Sequence, residues 1–580
     1  MAILGVDVGG TFTDAVLLDG NELRTAKVPT ARRQEESVLA AAAAVGAGKL
    51  ERFTHGTTIA TNALIERCGA RTAFVSTDGF EHVLHLRRQD RAHLYRLCAE
   101  HPEPLVPLDR CHGVRGRSGP DGELEPLDLG SLPDLGDAEA IAVCLLFSFR
   151  DPSHEQAVVA ELRRRHPNAH VVASHESAPE FREYERASTT AADAYLGPVL
   201  GGYLRALAER CARAGLPEPL VMRSSGGVCV LDEAAAHPAR ALLSGPAAGV
   251  VGAARVAQAA GIEDALAFDM GGTSTDVCAV VGGEATRSNE RLVGGLPIRL
   301  PTLDVHSVGA GGGSLVWRDG GGALRVGPQS AGAEPGPACY GRGGERPTVT
   351  DANLLLGRLP ERLAGGLVLD RDAAEHALAG VEARPEDVID VVNAEMLAAL
   401  RVVSVERGLD PRDFALVAFG GAGGLHACAL ADELEIGTVL VPAAAGVLSA
   451  LGLAVGDERR DTVRSIVVPL AQAGELPADG EADVRYAGQS FELTVPLGGD
   501  IAGAFHRAHE ERYGYADRAR PLELVALRTA SVRTGPELRL PAEPARPPVT
   551  GLVELDGSTT WIPDGWLGIW RGGSLVVTRA

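Results

Sequence analysis

The sequence predicts an α/β fold built from two related halves, and three observations carry that prediction. An octapeptide occurs twice, as Asp7-Val-Gly-Gly-Thr-Phe-Thr-Asp14 and as Asp269-Met-Gly-Gly-Thr-Ser-Thr-Asp276, with six of eight positions identical. Each copy joins two short apolar runs, 2–6 to 15–18 and 265–268 to 277–280. Around each copy strand-like and helix-like stretches alternate, the pattern of a sheet with helices on its faces.

An apolar run, a glycine turn and a second apolar run read as a β-hairpin. Next come helical stretches at 35–47 and 60–67, a strand at 71–76, a strand at 140–147, a helix at 154–165 and a strand at 170–174, read together as one sheet. Pro, Gly and Asp cluster at 100–136, an irregular excursion on the sheet edge. Residues 181–214 are rich in Ala, Leu and Glu and read as helix. The second hairpin opens another α/β unit with Gly-rich loops at 305–345, and a strand at 414–419 leads into a glycine run and a helix. The uncharged stretch 437–456 is punctuated by Pro442 and glycines, so it reads as a strand, a loop and a buried helix, not a membrane span. From about 480 short strands and prolines dominate, with a helix at 506–512. The expected domains are 1–180, 181–478 and a small β-rich domain at 479–580.

The chain has 580 residues, too many for one core. Its net charge of −22 argues against nucleic acid as a partner. One local exception, Arg87 to Arg96 with four arginines, reads as a solvated helical face or as a hold on an acidic ligand or partner. Nine scattered cysteines with no C-x-x-C pair fit reduced thiols in the cytoplasm. The first strand starts at once, without the basic and apolar regions of a signal peptide.

The hairpin tips carry the chemistry. Glycines admit a ligand close to the backbone, successive N–H groups of such a turn form a concave anion site, and threonine hydroxyls donate to phosphate oxygens. The leading aspartate can hold a divalent cation directly or through water. Two facing copies would grip one polyphosphate: Gly9, Gly10, Thr11, Thr13 and Asp14 from one side, Gly271, Gly272, Thr273, Thr275 and Asp276 from the other. Such a duplication suggests, by analogy, an actin-like ATPase in which two ribonuclease-H-like domains close on ATP. Gly420, Gly421, Gly423 and Gly424, between a strand and a helix start, are then candidate adenosine contacts.

Three further residues are candidates for substrate contact and proton transfer. His55 opens the small polar loop His55-Gly-Thr-Thr58, which reads as a phosphate or substrate contact or as a helix cap with a buried histidine. Asp304 and His306, two apart, share a face if they lie on one strand; they read as a proton-transfer pair, as metal ligands, or as a plain hydrogen-bonded pair. Arg223-Ser-Ser-Gly-Gly227 and Glu334 to Gly341 read as ligand walls, and Cys339 lacks a catalytic neighbour at motif spacing.

With these pieces in place, the chain resembles the A subunit of the hydantoinase/oxoprolinase family. The motifs are LGVDVGGTFTDAVLL, THGTTIATNALIERCGA, MRSSGG, LSGPAAGVVGAA, FDMGGTSTDV, DVHSVGAGGGS, EPGPACYGRGG, TVTDANLLLGRL, FGGAGGLHACALADEL and AGQSFELTVP, in that order from residue 3 to about 530. The resemblance implies an actin-like ATPase using ATP with Mg²⁺ (or Mn²⁺), held by Asp7 and Asp269. It also implies an oligomeric assembly with a B-type subunit, acting on a small cyclic amide of the 5-oxoproline or hydantoin class. Phosphorylating the amide carbonyl oxygen turns it into a leaving group and opens the ring. The rival readings are the ATP-binding subunit of an acetone or acetophenone carboxylase, a small-molecule kinase, and a nucleotide-gated binding module. One departure from the family is a short tail after Pro541, which keeps LDGSTTWIPDGW but lacks part of a β-rich segment.

Overall fold

The computed structural model describes residues 2–20, 22–363, 366–540 and 546–580, so position 541 itself lies outside the described residues. Both octapeptides form hairpins: Ala2–Val8 pairs antiparallel with Phe12–Asp19, and Ala265–Met270 with Thr275–Val281. The registers correspond residue for residue, Asp7 facing Asp14 and Asp269 facing Asp276. The turn bond repeats as well, with Gly9 N–H donating to Phe12 O at 2.9 Å and Gly271 N–H to Ser274 O at 3.0 Å.

Beside each hairpin's first strand runs a parallel strand, Arg52–Thr57 in the first half and Ala415–Phe419 in the second. A further parallel strand follows, Leu220–Met222 and Thr438–Pro442 respectively. These strands are covered on both faces, which is why they read as apolar runs and not as alternating patterns. The duplication in sequence is thus a duplication of topology, as the two-domain actin-like reading requires.

Two expectations about organisation differ from the structure. The segments Thr72–Thr77, Cys111–Val114, Ala140–Cys144 and His170–Ala173 do not join the hairpin's sheet; they form a separate four-stranded parallel sheet with its own core. Alternation predicts an α/β unit but not how many sheets the strands are dealt into. The stretch 479–580 is rich in strands, yet its described residues form no large sheet of their own. Glu458–Pro469, Leu522–Arg533, Glu481–Tyr486 and Leu493–Pro496 extend the first half's ten-stranded sheet. Ser574–Arg579 pairs with Thr438–Pro442 and, with Trp566–Arg571, extends the second. Among the described residues of this stretch only the hairpin Gly551–Leu555 with Ser558–Ile562 stands apart, on the helix Gly423–Glu433.

Helix Glu183–Arg213 is buried along most of its length because it serves two cores. Ala187, Ala191 and Ala194 face the four-stranded sheet, while Ala192, Tyr195, Leu196 and Leu200 pack under the first hairpin. Between the halves, helices Ser244–Ala259 and Leu448–Val455 touch backbone to backbone. A Cβ on Gly452 would lie 1.9 Å from Ala248 O, and one on Gly252 2.6 Å from Leu448 O. No helix among the described residues is long and apolar enough to cross a membrane; 438–455 is the strand, loop and buried helix its punctuation predicts.

Candidate active site

The two hairpins bring their leading aspartates into one electrostatic environment. Burial, with the Asp14 charge next in weight, lifts the Asp7 carboxyl to about 7. Burial also lifts Asp269 to about 8, with Asp276 and then Asp7 adding to the effect. One Asp7 oxygen, Oδ1, is buried without a hydrogen-bond partner. A glycine makes room for each carboxylate: a Cβ on Gly56 would lie 2.6 Å from Asp7 Oδ1, and one on Gly420 2.3 Å from Asp269 Oδ1. The first turn of helix Ser244–Ala259 also approaches Asp7, since a Cβ on Gly245 would lie 3.6 Å from both its oxygens. Crowded, partly buried acids that Lys27 offsets only in part are the condition a divalent cation relieves. Among the described residues no group of three or more His, Cys, Asp or Glu side chains forms a closed metal cage.

The tips divide in the same way in both copies. Gly10, Thr11, Gly272 and Thr273 are exposed, with Gly9 and Gly271 partly so. Thr13 and Thr275 are fully buried, contrary to their expected part in a phosphate cradle. Thr13 Oγ1 lies 3.0 Å from Thr30 Oγ1, and Thr275 Oγ1 donates to Ala310 O at 2.5 Å. Thr13 and Thr275 lie within the second strands of the hairpins and pack inward with them, whereas Thr11 and Thr273 remain on the turns. Asp14 binds Lys27 Nζ at 2.6 and 2.8 Å, while Asp276 accepts from the Ser307 hydroxyl. Loop 309–313 lies on the second tip, with Gly312 and Gly313 N–H donating to Gly271 O and Gly272 O at 3.0 and 2.7 Å.

The histidine expectations fare differently. His55 is fully buried, with Nδ1 3.2 Å from Val6 O and Nε2 2.8 Å from Tyr203 Oη, and burial pushes it down to about 4. It faces a core, so it cannot touch substrate. Its loop instead seats helix Ser244–Ala259: Ser244 Oγ donates to Thr57 O at 2.9 Å, and Leu243 N–H to Thr61 Oγ1 at 2.9 Å. Asp304 and His306 do not pair either. Asp304 precedes the strand His306–Val308 and is ion-paired with Arg407. His306, partly exposed, sits near Asp276 and lowers the carboxyl that burial raises.

Of the glycine run, Gly421 is exposed and Gly420 is turned toward Asp269. Gly423 and Gly424 are buried in the first turn of helix Gly423–Glu433, where a Cβ on Gly424 would lie 2.2 Å from Thr560 Oγ1, so they are closed to a nucleotide.

The hydantoinase/oxoprolinase N-terminal region model matches residues 3–166, and the hydantoinase/oxoprolinase model matches 186–462. The chain belongs to the hydantoinase/oxoprolinase family. Within that family it is 35% identical to the caprolactamase alpha subunit of Pseudomonas jessenii, over 97% of this chain and 90% of that one. The crystal structure of the ATP-dependent caprolactamase from that organism superposes with a TM-score of 0.86 at 30% identity, covering all of both chains. The chain is 31% identical to 5-oxoprolinase 1 of Arabidopsis thaliana, over 95% of its length and 51% of the relative. It is 33% identical to the acetophenone carboxylase gamma subunit of Aromatoleum aromaticum, over 78% and 68%. The actin-like α/β fold expected of a hydantoinase/oxoprolinase chain is therefore the fold present.

Two site features of this hydantoinase/oxoprolinase chain escape a motif reading. The turn Asp556-Gly557 reaches both halves: the Thr25 hydroxyl donates to Asp556, and Ser558 Oγ donates to Gly420 O at 2.7 Å. That span lies in the LDGSTTWIPDGW stretch, but nothing local there shows that it reaches Thr25 and Gly420. Lys27 did carry a signal, being one of only two lysines in a chain whose other basic residues are arginine.

Proposed function

We propose that the chain binds ATP with Mg²⁺ between the two hairpins and transfers the γ-phosphoryl group to the carbonyl oxygen of a small cyclic amide. The substrate class is that of 5-oxoproline or hydantoin, and the chain works beside a B-type subunit as part of a larger assembly. The observation that carries this reading is the pair of matched hairpins, each with an exposed Gly-Thr tip and a partly buried aspartate that a glycine accommodates. The names of the caprolactamase and 5-oxoprolinase relatives support the amide.

Asp7 and Asp269 would hold the cation or its waters; the unpartnered Asp7 oxygen fits that role. When bound, the cation neutralises phosphate charge. Backbone N–H groups of Gly10, Thr11, Gly272 and Thr273, with the two threonine hydroxyls, are the phosphate donors, and Gly421 is the open face for the nucleoside. Lys27 offers positive charge beside Asp14. Phosphoryl transfer needs mainly positioning and charge neutralisation, which this arrangement supplies. His306 is the candidate for moving the amide proton, with Asp276 and Ser307 beside it.

A carboxylase subunit is the second reading, favoured by the acetophenone carboxylase relative. Co-expression with the genomic neighbour, then ATP hydrolysis against 5-oxoproline, hydantoins and ketones, separates them. Amide-dependent hydrolysis lost in Asp7→Asn and Asp269→Asn supports the proposal. ATP consumption that needs both a ketone and bicarbonate replaces it with the carboxylase, and full turnover in either aspartate variant removes the hairpin site.

A further inference from the structure

At the carboxyl ends of the parallel strands that carry the first hairpin lies a cavity the phosphate site does not use. Leu220–Met222 runs parallel to Arg52–Thr57, which runs parallel to Ala2–Val8. Arg223 and Gly9 therefore leave the sheet at the same end, where open α/β sheets take their ligands. Five chain segments close around about 210 Å³ there. That is roughly the space of seven waters at about 30 Å³ each, enough for a five-membered ring with a substituent and too little for a nucleotide.

The lining carries more positive charge than its partners offset. Arg223, 4% exposed, and Arg240 share one carboxylate, Glu233. Arg223 Nε is buried and has no hydrogen-bond partner. Arg460 is exposed on the cavity wall and makes no ion pair among the described residues. Ser225 is 2% exposed and its hydroxyl makes no hydrogen bond among the described residues. The acids in the wall are mostly taken: Glu180 holds Arg299 and Arg528, and Asp461 holds Arg459 at 2.7 Å, leaving Glu176 at the rim. What remains is a set of guanidinium and hydroxyl donors, the complement of a planar oxyanion.

We propose that this cavity holds the carboxylate of the acceptor substrate, with Arg460, Arg223 and Ser225 as its donors. As a statement about the acceptor it rests on the phosphoryl-transfer reading. Its wall is tied to the other half: Leu303 N–H donates to Ser224 O at 2.7 Å, and four residues on, Ser307 bonds Asp276 of the second hairpin. Arg291 reinforces that link, donating to Ser307 Oγ at 3.2 Å. A ligand here is joined to the phosphate site by one short segment, 303–307.

The test is calorimetry on the full chain without nucleotide, using 5-oxoproline, 2-pyrrolidinone (the same ring without a carboxylate) and sodium bicarbonate. The expected result is binding of 5-oxoproline that weakens at least tenfold in Arg460→Gln, with 2-pyrrolidinone bound at least tenfold more weakly than 5-oxoproline by the native chain. Bicarbonate that competes with 5-oxoproline and shows the same loss in Arg460→Gln also upholds the oxyanion site; bicarbonate that binds alone, without 5-oxoproline, overturns the substrate carboxylate. Equal binding of the neutral ring, unchanged affinity in Arg460→Gln, or no binding of any probe overturns the proposal. Because nucleotide is absent, binding through Arg460 without 5-oxoproline-dependent ATP consumption in the assembled enzyme would count against phosphoryl transfer alone.

Discussion

Gly420 lies against Asp269 with a φ of +79°, so that an added Cβ would sit 2.3 Å from the carboxylate. Alanine there meets both a left-handed backbone and a carboxyl oxygen it must displace. Gly420→Ala is expected to lower amide-dependent ATP turnover about hundredfold, the scale of an ångström's misplacement. Stability should fall by about 1–3 kcal/mol. Steady-state ATP hydrolysis and denaturant midpoints check the two parts separately.

Lys27 is the cation nearest the acidic cleft, bonded to Asp14 and acting on Asp7 and Asp269 as well. Lys27→Met is expected to reduce kcat/KM for ATP by roughly 10²–10³, the range for removing one preorganised charge from a developing anion. Thermal stability should change little, because the Lys27–Asp14 pair is partly exposed and such pairs are worth about 0–1 kcal/mol. A variant with unaltered kcat/KM would remove Lys27 from the site.

His55 gives a pH dependence with a definite sign. Folding lowers its pKa from about 6.5 to about 4, so between those values the unfolded chain binds a proton that the folded chain refuses. Its contribution is fully present above pH 6.5 and is lost as pH falls toward 4, on the order of 3 kcal/mol in all. His426, pushed down to about 3 by burial, acts in the same direction. Denaturant midpoints from pH 7 to 5 should fall more steeply for the native chain than for His55→Gln; parallel slopes would refute this.

Ser558 fastens the C-terminal hairpin to Gly420 O. Ser558→Ala should cost about 1 kcal/mol of stability and loosen the loop that presents Gly421, seen as a several-fold weaker ATP affinity in equilibrium binding.

The fold class and the hairpins were legible because their signals are local. Two glycines between apolar runs make the same turn wherever they occur, and the repetition at Asp7 and Asp269 named both. Which threonine of each pair is buried depends on where the strand begins: Thr13 and Thr275 are inside the strands and Thr11 and Thr273 are on the turns, a boundary of one or two residues that the motif does not mark. His55 was misread because a polar loop at a helix start looks the same whether it holds phosphate or seats another helix. Tyr203 and Ser244, distant in sequence, decide which. The pairing of Asp304 with Arg407 and the reach of Asp556 to Thr25 are long-range facts without a local signature.

The contact between Thr25 and Asp556 also bears on how the protein comes into being. During synthesis the first hairpin leaves the ribosome more than five hundred residues ahead of the segment that fastens it, a delay of roughly half a minute to two minutes at about 5–20 residues per second. Until the strand Ser574–Arg579 docks beside Thr438–Pro442, the second sheet lacks an edge and the glycine loop lacks its clasp. The growing polypeptide thus exposes both hairpins and Gly420 before the segment that ties them together has been made.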